Sequence, residues 1–258
     1  MTVDPGRMAG RVALVTGASS GLGAAIATAL ARYGARMVVH GRDEERLAGI
    51  ARLTGGTPIA ADLADPAAVR DLAARALEPH GRLDVLVHNA GFGWAGPLTG
   101  MDPSETDRLL AVNLAAPIAL TRALLPGMLE RRSGHLLFVS SIAGRLGVAG
   151  EAVYAASKAG LDVFAESLRL ELHRTGVTVG VLVPGLVDTP FFERRGRPHP
   201  RRGPRPIPPE RVADAVARSV ARGSAEVHLP RWLRLPVAVR AIAPGTYRSL
   251  AARFGARA

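Results

Sequence analysis

Short aliphatic runs recur along this chain, each followed by a longer amphipathic stretch, and that alternation leaves few folds open. The runs are Val12–Val15, Met37–Val39, Pro58–Ala61, Val85–Val87, Leu136–Val139 and Val177–Val183, with a weaker seventh at Glu226–Leu229. Helical patterning fills about 21–33, 43–53, 66–78, 103–131, 151–174 and 209–222. Strands that are apolar almost throughout are buried on both faces, and strands joined through helices pair in parallel. The expected fold class is therefore α/β, a doubly wound parallel sheet of about seven strands with helices on both faces. A length of 258 residues suits a single domain over 1–258. Aromatic residues are only 4% of a chain that is 48% hydrophobic, so its core must be aliphatic.

The first strand runs directly into Thr16-Gly17-Ala18-Ser19-Ser20-Gly21-Leu22-Gly23, which opens the first helix. Glycines there permit a tight turn and close approach of backbone to a pyrophosphate. The helix N-terminus adds free N–H groups and positive dipole potential. In this strand–loop–helix context the motif points to a Rossmann-type dinucleotide site. The second strand ends at His40-Gly41-Arg42. An NAD-selective site would carry an acid there for the ribose 2′-hydroxyl, whereas a guanidinium suits a 2′-phosphate. NADP(H) is the expected cofactor and NAD(H) the second choice. Asp43 reads as the N-cap of the next helix rather than as a ribose acid.

All but one of the 33 lysine and arginine residues are arginine; the exception is Lys158, four residues after Tyr154. Positions i and i+4 share a helix face. An ammonium beside a phenol favours the phenolate and should lower the phenol's pKa toward the working range. Arginine cannot easily replace a compact, rotatable donor whose pKa shifts on burial.

From Arg11 to Thr189 these residues, with others in the same order, resemble the short-chain dehydrogenase/reductase family. The resemblance implies a cofactor-binding set of Thr16, Gly17, Ser19, Ser20, Gly21, Leu22, Gly23, Arg42, Asp62, Leu63, Asn89, Ala90, Gly91, Tyr154, Lys158, Pro184, Gly185, Val187 and Thr189. Asp62 is similar to the family's adenine contact. Asn89-Ala90-Gly91 matches its Asn-Asn-Ala-Gly, with His88 in place of the first asparagine. Pro184-Gly185 and Thr189 resemble the segment beside the nicotinamide. The implied catalytic set is Asn113, Ser141, Tyr154 and Lys158. Tyr154 would exchange the proton, Ser141 would orient the substrate oxygen, Lys158 would hold the nicotinamide ribose, and Asn113 would position a water.

The pocket is expected to draw on Phe92, Trp94, Ile142 to Val148, Leu186, Phe191 and Phe192, which suits a largely apolar carbonyl or secondary alcohol as small-molecule substrate. A 3-oxoacyl thioester is the alternative, because arginine-rich 190–209 reads as a mobile lid that could attract an acidic carrier. The C-terminal tail, 230–258, looks closer to the hydroxysteroid- and retinol-dehydrogenase-like branch. Its arginines and Trp232 also allow contact with a membrane surface, although packing on its own domain is the preferred reading. A net charge of +11 without nucleic-acid motifs or interleaved aromatics argues against nucleic-acid partners. The absence of cysteine excludes disulfides and thiolate metal sites, and no metal is expected. No apolar leader or spanning run of about 18 residues is visible, so a cytoplasmic location is expected. A homodimer or homotetramer is anticipated. The rival class is a non-catalytic dinucleotide sensor, against which the complete catalytic set counts.

Overall fold

A computed structural model describes residues 8–196 and 205–255. Seven strands, β1 (Val12–Val15), β2 (Arg36–Gly41), β3 (Thr57–Ala60), β4 (Val85–His88), β5 (Gly134–Val139), β6 (Val177–Pro184) and β7 (Glu226–Leu229), form one sheet. The order is β3-β2-β1-β4-β5-β6-β7, and every pairing is parallel. The aliphatic runs are buried because both faces of the sheet are covered. On one face α1 (Gly21–Arg32), α2 (Glu44–Thr54) and α9 (Pro209–Arg222) pack Ile26, Leu30, Leu47, Val212, Val216 and Val220 against Val15, Val39 and Val87. On the other, α3 (Pro66–Arg75), α5 (Ala116–Glu130) and α7 (Ala152–Glu171) bring Leu72, Leu120, Leu124, Leu161 and Leu168 onto Leu14, Leu86 and Phe138.

Local chemistry sets the helix boundaries. Asp43, Asp65 and Asp102 each accept an N–H from the first turn of α2, α3 and α4 (Pro103–Leu110). Asp43 is thus an N-cap, as its spacing implied. Gly55 and Gly223 close α2 and α9 in the left-handed conformation that favours glycine. Between β1 and β4, the buried Asp84 accepts the Val12 N–H at 2.9 Å and is paired with Arg82.

Three features were not foreseen. The stretch 103–131 is helical but not uniform, since a π turn over Ala111–Ala115 separates α4 from α5. The whole run Pro103–Glu130 is long and apolar enough to cross a membrane by length and composition. Here its Leu109, Leu120, Leu124 and Met128 are buried in the domain. Short helices α6 (Ile142–Leu146) and α8 (Phe191–Arg194) also appear, the latter inside the segment expected to be irregular. Part of that lid expectation, 197–204, lies outside the described residues, as do 1–7 and 256–258.

The tail forms α10 (Arg234–Ile242) and α11 (Pro244–Gly255). It touches its own domain through Arg240, which donates to the Arg145 carbonyl, and through the Tyr247 hydroxyl, which donates to the Leu146 carbonyl at 2.9 Å. Leu235 and Ile242 remain exposed.

Candidate active site

Strand order reverses between β1 and β4, so the connections after these strands diverge and leave a crevice at their C-terminal ends. A cleft of about 680 Å³ opens there. Every residue of the anticipated cofactor and catalytic sets lines it except Thr16 and Asn113.

Those two exceptions act from behind the wall. The Thr16 hydroxyl donates to the Val87 carbonyl at 3.2 Å and accepts from the N–H groups of Asn89 and Ala90, each at 3.0 Å. It ties the glycine-rich loop to the end of β4. Asn89 completes the tie by donating to the carbonyls of Thr16 (2.9 Å) and Gly17 (3.3 Å). Asn113 sits in the π turn, fully buried. Its side chain accepts from the Phe92 N–H at 3.1 Å and donates to the Phe92 carbonyl at 2.9 Å and to Ser157 Oγ at 3.2 Å. The amide expected to place a water is thus engaged in fixing the strand β4 loop.

The loop's glycines meet real constraints. Gly17 and Gly21 have φ of 67° and 56°. A Cβ on Gly17 would stand 2.8 Å from Ala90 Cα, and one on Gly41 would stand 2.9 Å from Ser19 Cβ. His40 holds the end of β2. Its Nδ1 accepts from the Gly17 N–H at 3.4 Å and its Nε2 faces the Ala61 carbonyl at 3.2 Å, which fixes one neutral tautomer. Burial pushes its pKa down to about 4. Arg42 and Arg46 line the cleft beside it. Asp62 also lines the cleft, but one carboxylate oxygen is taken by Arg108 at 2.7 Å. His88 stacks on Phe138 with ring centroids 4.7 Å apart, and its Nε2 bonds Thr121 Oγ1 at 2.8 Å. Its departure from the family pattern is accommodated within the core.

At the far side of the cleft, β5 delivers Ser141 as the N-cap of α6, where Oγ accepts from the Ala143 N–H at 3.1 Å. Tyr154 and Lys158 lie on the buried face of α7. The Lys158 ammonium donates to the Val139 carbonyl at 2.8 Å and stands 5.9 Å from the Tyr154 ring centroid. The surroundings of Tyr154 do not produce the expected fall in its pKa. Burial pushes the phenol up to about 12, against a lowering contribution from the facing Ser141 hydroxyl. Lysine pays the corresponding penalty, since burial brings Lys158 down to about 8. The low dielectric that should strengthen their coupling first penalises both charged forms.

The apolar wall consists of Phe92, Ile142, Ala143, Val148, Leu186, Phe191 and Phe192. Trp94 does not reach it: its ring covers Gly96, whose Cβ would lie 2.7 Å from Trp94 Cη2. Of 142–148, residues 144–147 also turn away. No local pattern announced a half-buried ion pair at the mouth, where Arg195 after α8 meets Glu151 before α7. Nor did any reveal that Arg194 reaches Ser20 Oγ of the glycine-rich loop at 3.0 Å. Partners separated by 44 and 174 residues leave no local pattern. Farther along the backbone, Gly185 N–H donates to the Leu229 carbonyl at 2.7 Å, Val187 bridges to Ile207, and Thr189 packs against Gly21.

The donor set fits an anionic dinucleotide. Ser20 makes no side-chain cap to α1, and the first turn carries no acid. Arg42, Arg46 and Arg194 line the same end. Free N–H groups, a positive helix terminus and guanidinium groups together suit phosphates.

Comparison with known proteins agrees with this geometry. A family model described as short chain dehydrogenase matches residues 11–199. A Streptomyces violaceoruber protein named for ketoacyl reductase 1 of the granaticin polyketide synthase is 40% identical over 200 residues, covering 75% of this chain and 74% of its own. Among solved structures, a metagenomic short-chain oxidoreductase in complex with NADP superposes with a TM-score of 0.74 at 40% identity, over 86% of this chain and 97% of that one. A Burkholderia phymatum short-chain dehydrogenase/reductase in complex with NAD gives 0.82 at 25% identity, over 91% and 94%.

Proposed function

Because this chain belongs to the short-chain dehydrogenase/reductase family, and is thereby an oxidoreductase acting on CH–OH or carbonyl groups, we propose that it uses NADP(H) to interconvert a carbonyl and a secondary alcohol on a largely apolar substrate. The observation that carries this reading is the meeting of Ser141, Tyr154 and Lys158 with the glycine-rich loop in one cleft. The dinucleotide, when bound, supplies or accepts the hydride. Everything else falls to side chains of this chain. Ser141 Oγ donates to the substrate oxygen and turns it toward Tyr154. The Tyr154 phenol donates its proton to that oxygen as alkoxide character develops, and recovers it in oxidation. A phenol raised by burial is protonated at neutral pH, the form that donates to the substrate oxygen in the reductive direction. Lys158 supplies the positive charge that eases phenolate formation. Asn113 holds the Phe92 backbone and so the floor beneath.

Arg42, with no acidic residue at the end of β2, supports the preference for NADP(H). Phe92, Phe191, Phe192 and Leu186 support an apolar substrate. The granaticin relative favours a second reading, a 3-oxoacyl thioester as the carbonyl. A homodimer or homotetramer and a cytoplasmic location belong to the same proposal; exposed Val163 and Leu170 on α7 support assembly.

The test is NADPH and NADH oxidation against aliphatic, cyclic, steroidal and 3-oxoacyl thioester carbonyls, with Tyr154→Phe in parallel. Loss of the acid should cost about 10²–10⁴ in turnover. A variant within about tenfold of the parent would remove Tyr154 from that role.

A further inference from the structure

Lys158 is buried at 4% exposure with Asp162 one helical turn beyond it, itself at 7%. Positions i and i+4 on one face bring side chains within about 5–6 Å at Cβ. Asp162 does not stand alone. Arg145 on α6 places Nε 2.7 Å from one Asp162 oxygen and Nη2 2.8 Å from a Glu226 oxygen on β7. His228 Nε2 lies 3.2 Å from that same Glu226 oxygen, and the Arg234 charge acts on His228 from the start of α10. From the end of β5 the Ser140 hydroxyl faces the Asp162 carboxyl, while the Val139 carbonyl accepts from Lys158. Groups from the end of β5, from α6 and from β7 thus surround one carboxylate behind the cleft, one helical turn from the chain's single lysine.

We propose that Asp162, held by Arg145, which Glu226 anchors from the other side, is a positioning residue that keeps the Lys158 amine charged. The inference rests on the reading that Lys158 acts as a cation in the cleft. An arginine would keep its charge unaided, since its pKa exceeds about 12. A buried lysine does not, and this one is already pushed down to about 8 by burial, with Asp162 opposing the fall. Burial pushes the Asp162 carboxyl above its usual range, and the Ser140 hydroxyl, Arg145 at 2.7 Å and the Lys158 ammonium itself oppose that rise in favour of the carboxylate. Unit charges a turn apart in an effective dielectric of about 20 couple by roughly two pH units, and a carboxylate shared with a guanidinium delivers about one.

The single lysine makes a direct test available. Full-length protein enriched in carbon-13 at lysine Cε gives one lysine side-chain resonance, whose titration reads Lys158 without cofactor, substrate or turnover. The parent should titrate near 8. Asp162→Asn should lower the midpoint by about one unit, and Asp162→Glu should stay near the parent. The kinetic counterpart is a basic limb of activity that moves down in Asp162→Asn, with turnover approaching the parent's as the pH falls and Lys158 regains its proton. An unmoved midpoint in Asp162→Asn, or equal shifts for the asparagine and glutamate variants, overturns the proposal. So does a turnover loss uniform across pH, which is what a packing role alone produces. Should the asparagine variant not fold, Asp162→Ser decides in its place: an unmoved midpoint there overturns the idea equally. Failure of the functional reading looks different, because turnover independent of Tyr154 would leave the lysine titration intact.

Discussion

Replacing Gly23 with alanine adds one methyl group where the structure has no room for it. The new Cβ would stand 2.1 Å from the Gly17 carbonyl oxygen, 2.4 Å from Asn89 Nδ2 and 2.8 Å from the Gly17 carbonyl carbon. The closest atom is backbone, so no rotamer change relieves the overlap, and the loop must move by about 1 Å. Overpacking of this kind costs roughly 1–3 kcal/mol. The movement also pulls the loop off Asn89, whose bonds to Thr16 and Gly17 contribute about 1 kcal/mol. A total of about 2–4 kcal/mol corresponds to a melting temperature lower by roughly 5–15 °C for a chain of this size. Displaced loop N–H groups should weaken NADPH binding by at least about tenfold, read by fluorescence titration. The same chemical change at Gly49, inside α2, has the opposite sign. Its nearest neighbour would be the tip of Arg52 at 4.0 Å, so alanine should stabilise by about 0.4–1 kcal/mol. A Gly23→Ala protein that melts within about 1 °C of the parent and binds NADPH normally would refute the steric argument.

Arg42→Ala should weaken NADPH binding by about tenfold or more while leaving NADH within about twofold, because a charge-assisted contact to a 2′-phosphate is worth roughly 1.5–3 kcal/mol. Equal loss for both would remove Arg42 as the selectivity residue. Acid should destabilise the fold through three buried histidines, His40, His88 and His135, which burial pushes down to about 4, 3 and 4. Below pH about 6.5 the unfolded chain takes up protons that the folded chain refuses, so stability falls with pH, approaching about 4 kcal/mol per unit near pH 5. Urea midpoints measured from neutral pH downward check this, and His88→Gln should flatten the slope by about one proton; an unchanged slope would mean that His88 is protonated in the fold.

The five inner strands were legible because each is a largely aliphatic run buried on both faces, whereas the edge strands β3 and β7 are mixed in composition, only partly buried and correspondingly fainter in the sequence. The glycine-rich loop and the Tyr154–Lys158 pair were legible because their chemistry depends on fixed local spacing. What escaped depends on contacts far apart in the chain or on too few residues to show a period. Helices α6 and α8 have five and four residues, barely more than one turn. The Glu151–Arg195 pair and the Arg145 bridge join elements that only the crossovers bring together. The direction of the Tyr154 shift was misread because spacing reveals a neighbouring charge but not the depth at which both groups are buried. Thr16 and Asn113 belong to the motif yet serve from behind, which a pattern of residue types does not distinguish from contact.

The π turn at Ala111–Ala115 makes the run from Pro103 to Glu130 unusually sensitive to its residue count. Losing one residue there would let an ordinary α-helix form, with better intrinsic geometry. It would also rotate everything before it by about 100° and draw it in by about 1.5 Å. Arg108 would leave Asp62, and Leu109 would leave the cluster it shares with Tyr154. Descendants of this chain can therefore exchange side chains along the helix far more freely than they can change its length, and in this segment a deletion that improves the helix would dismantle the wall it builds.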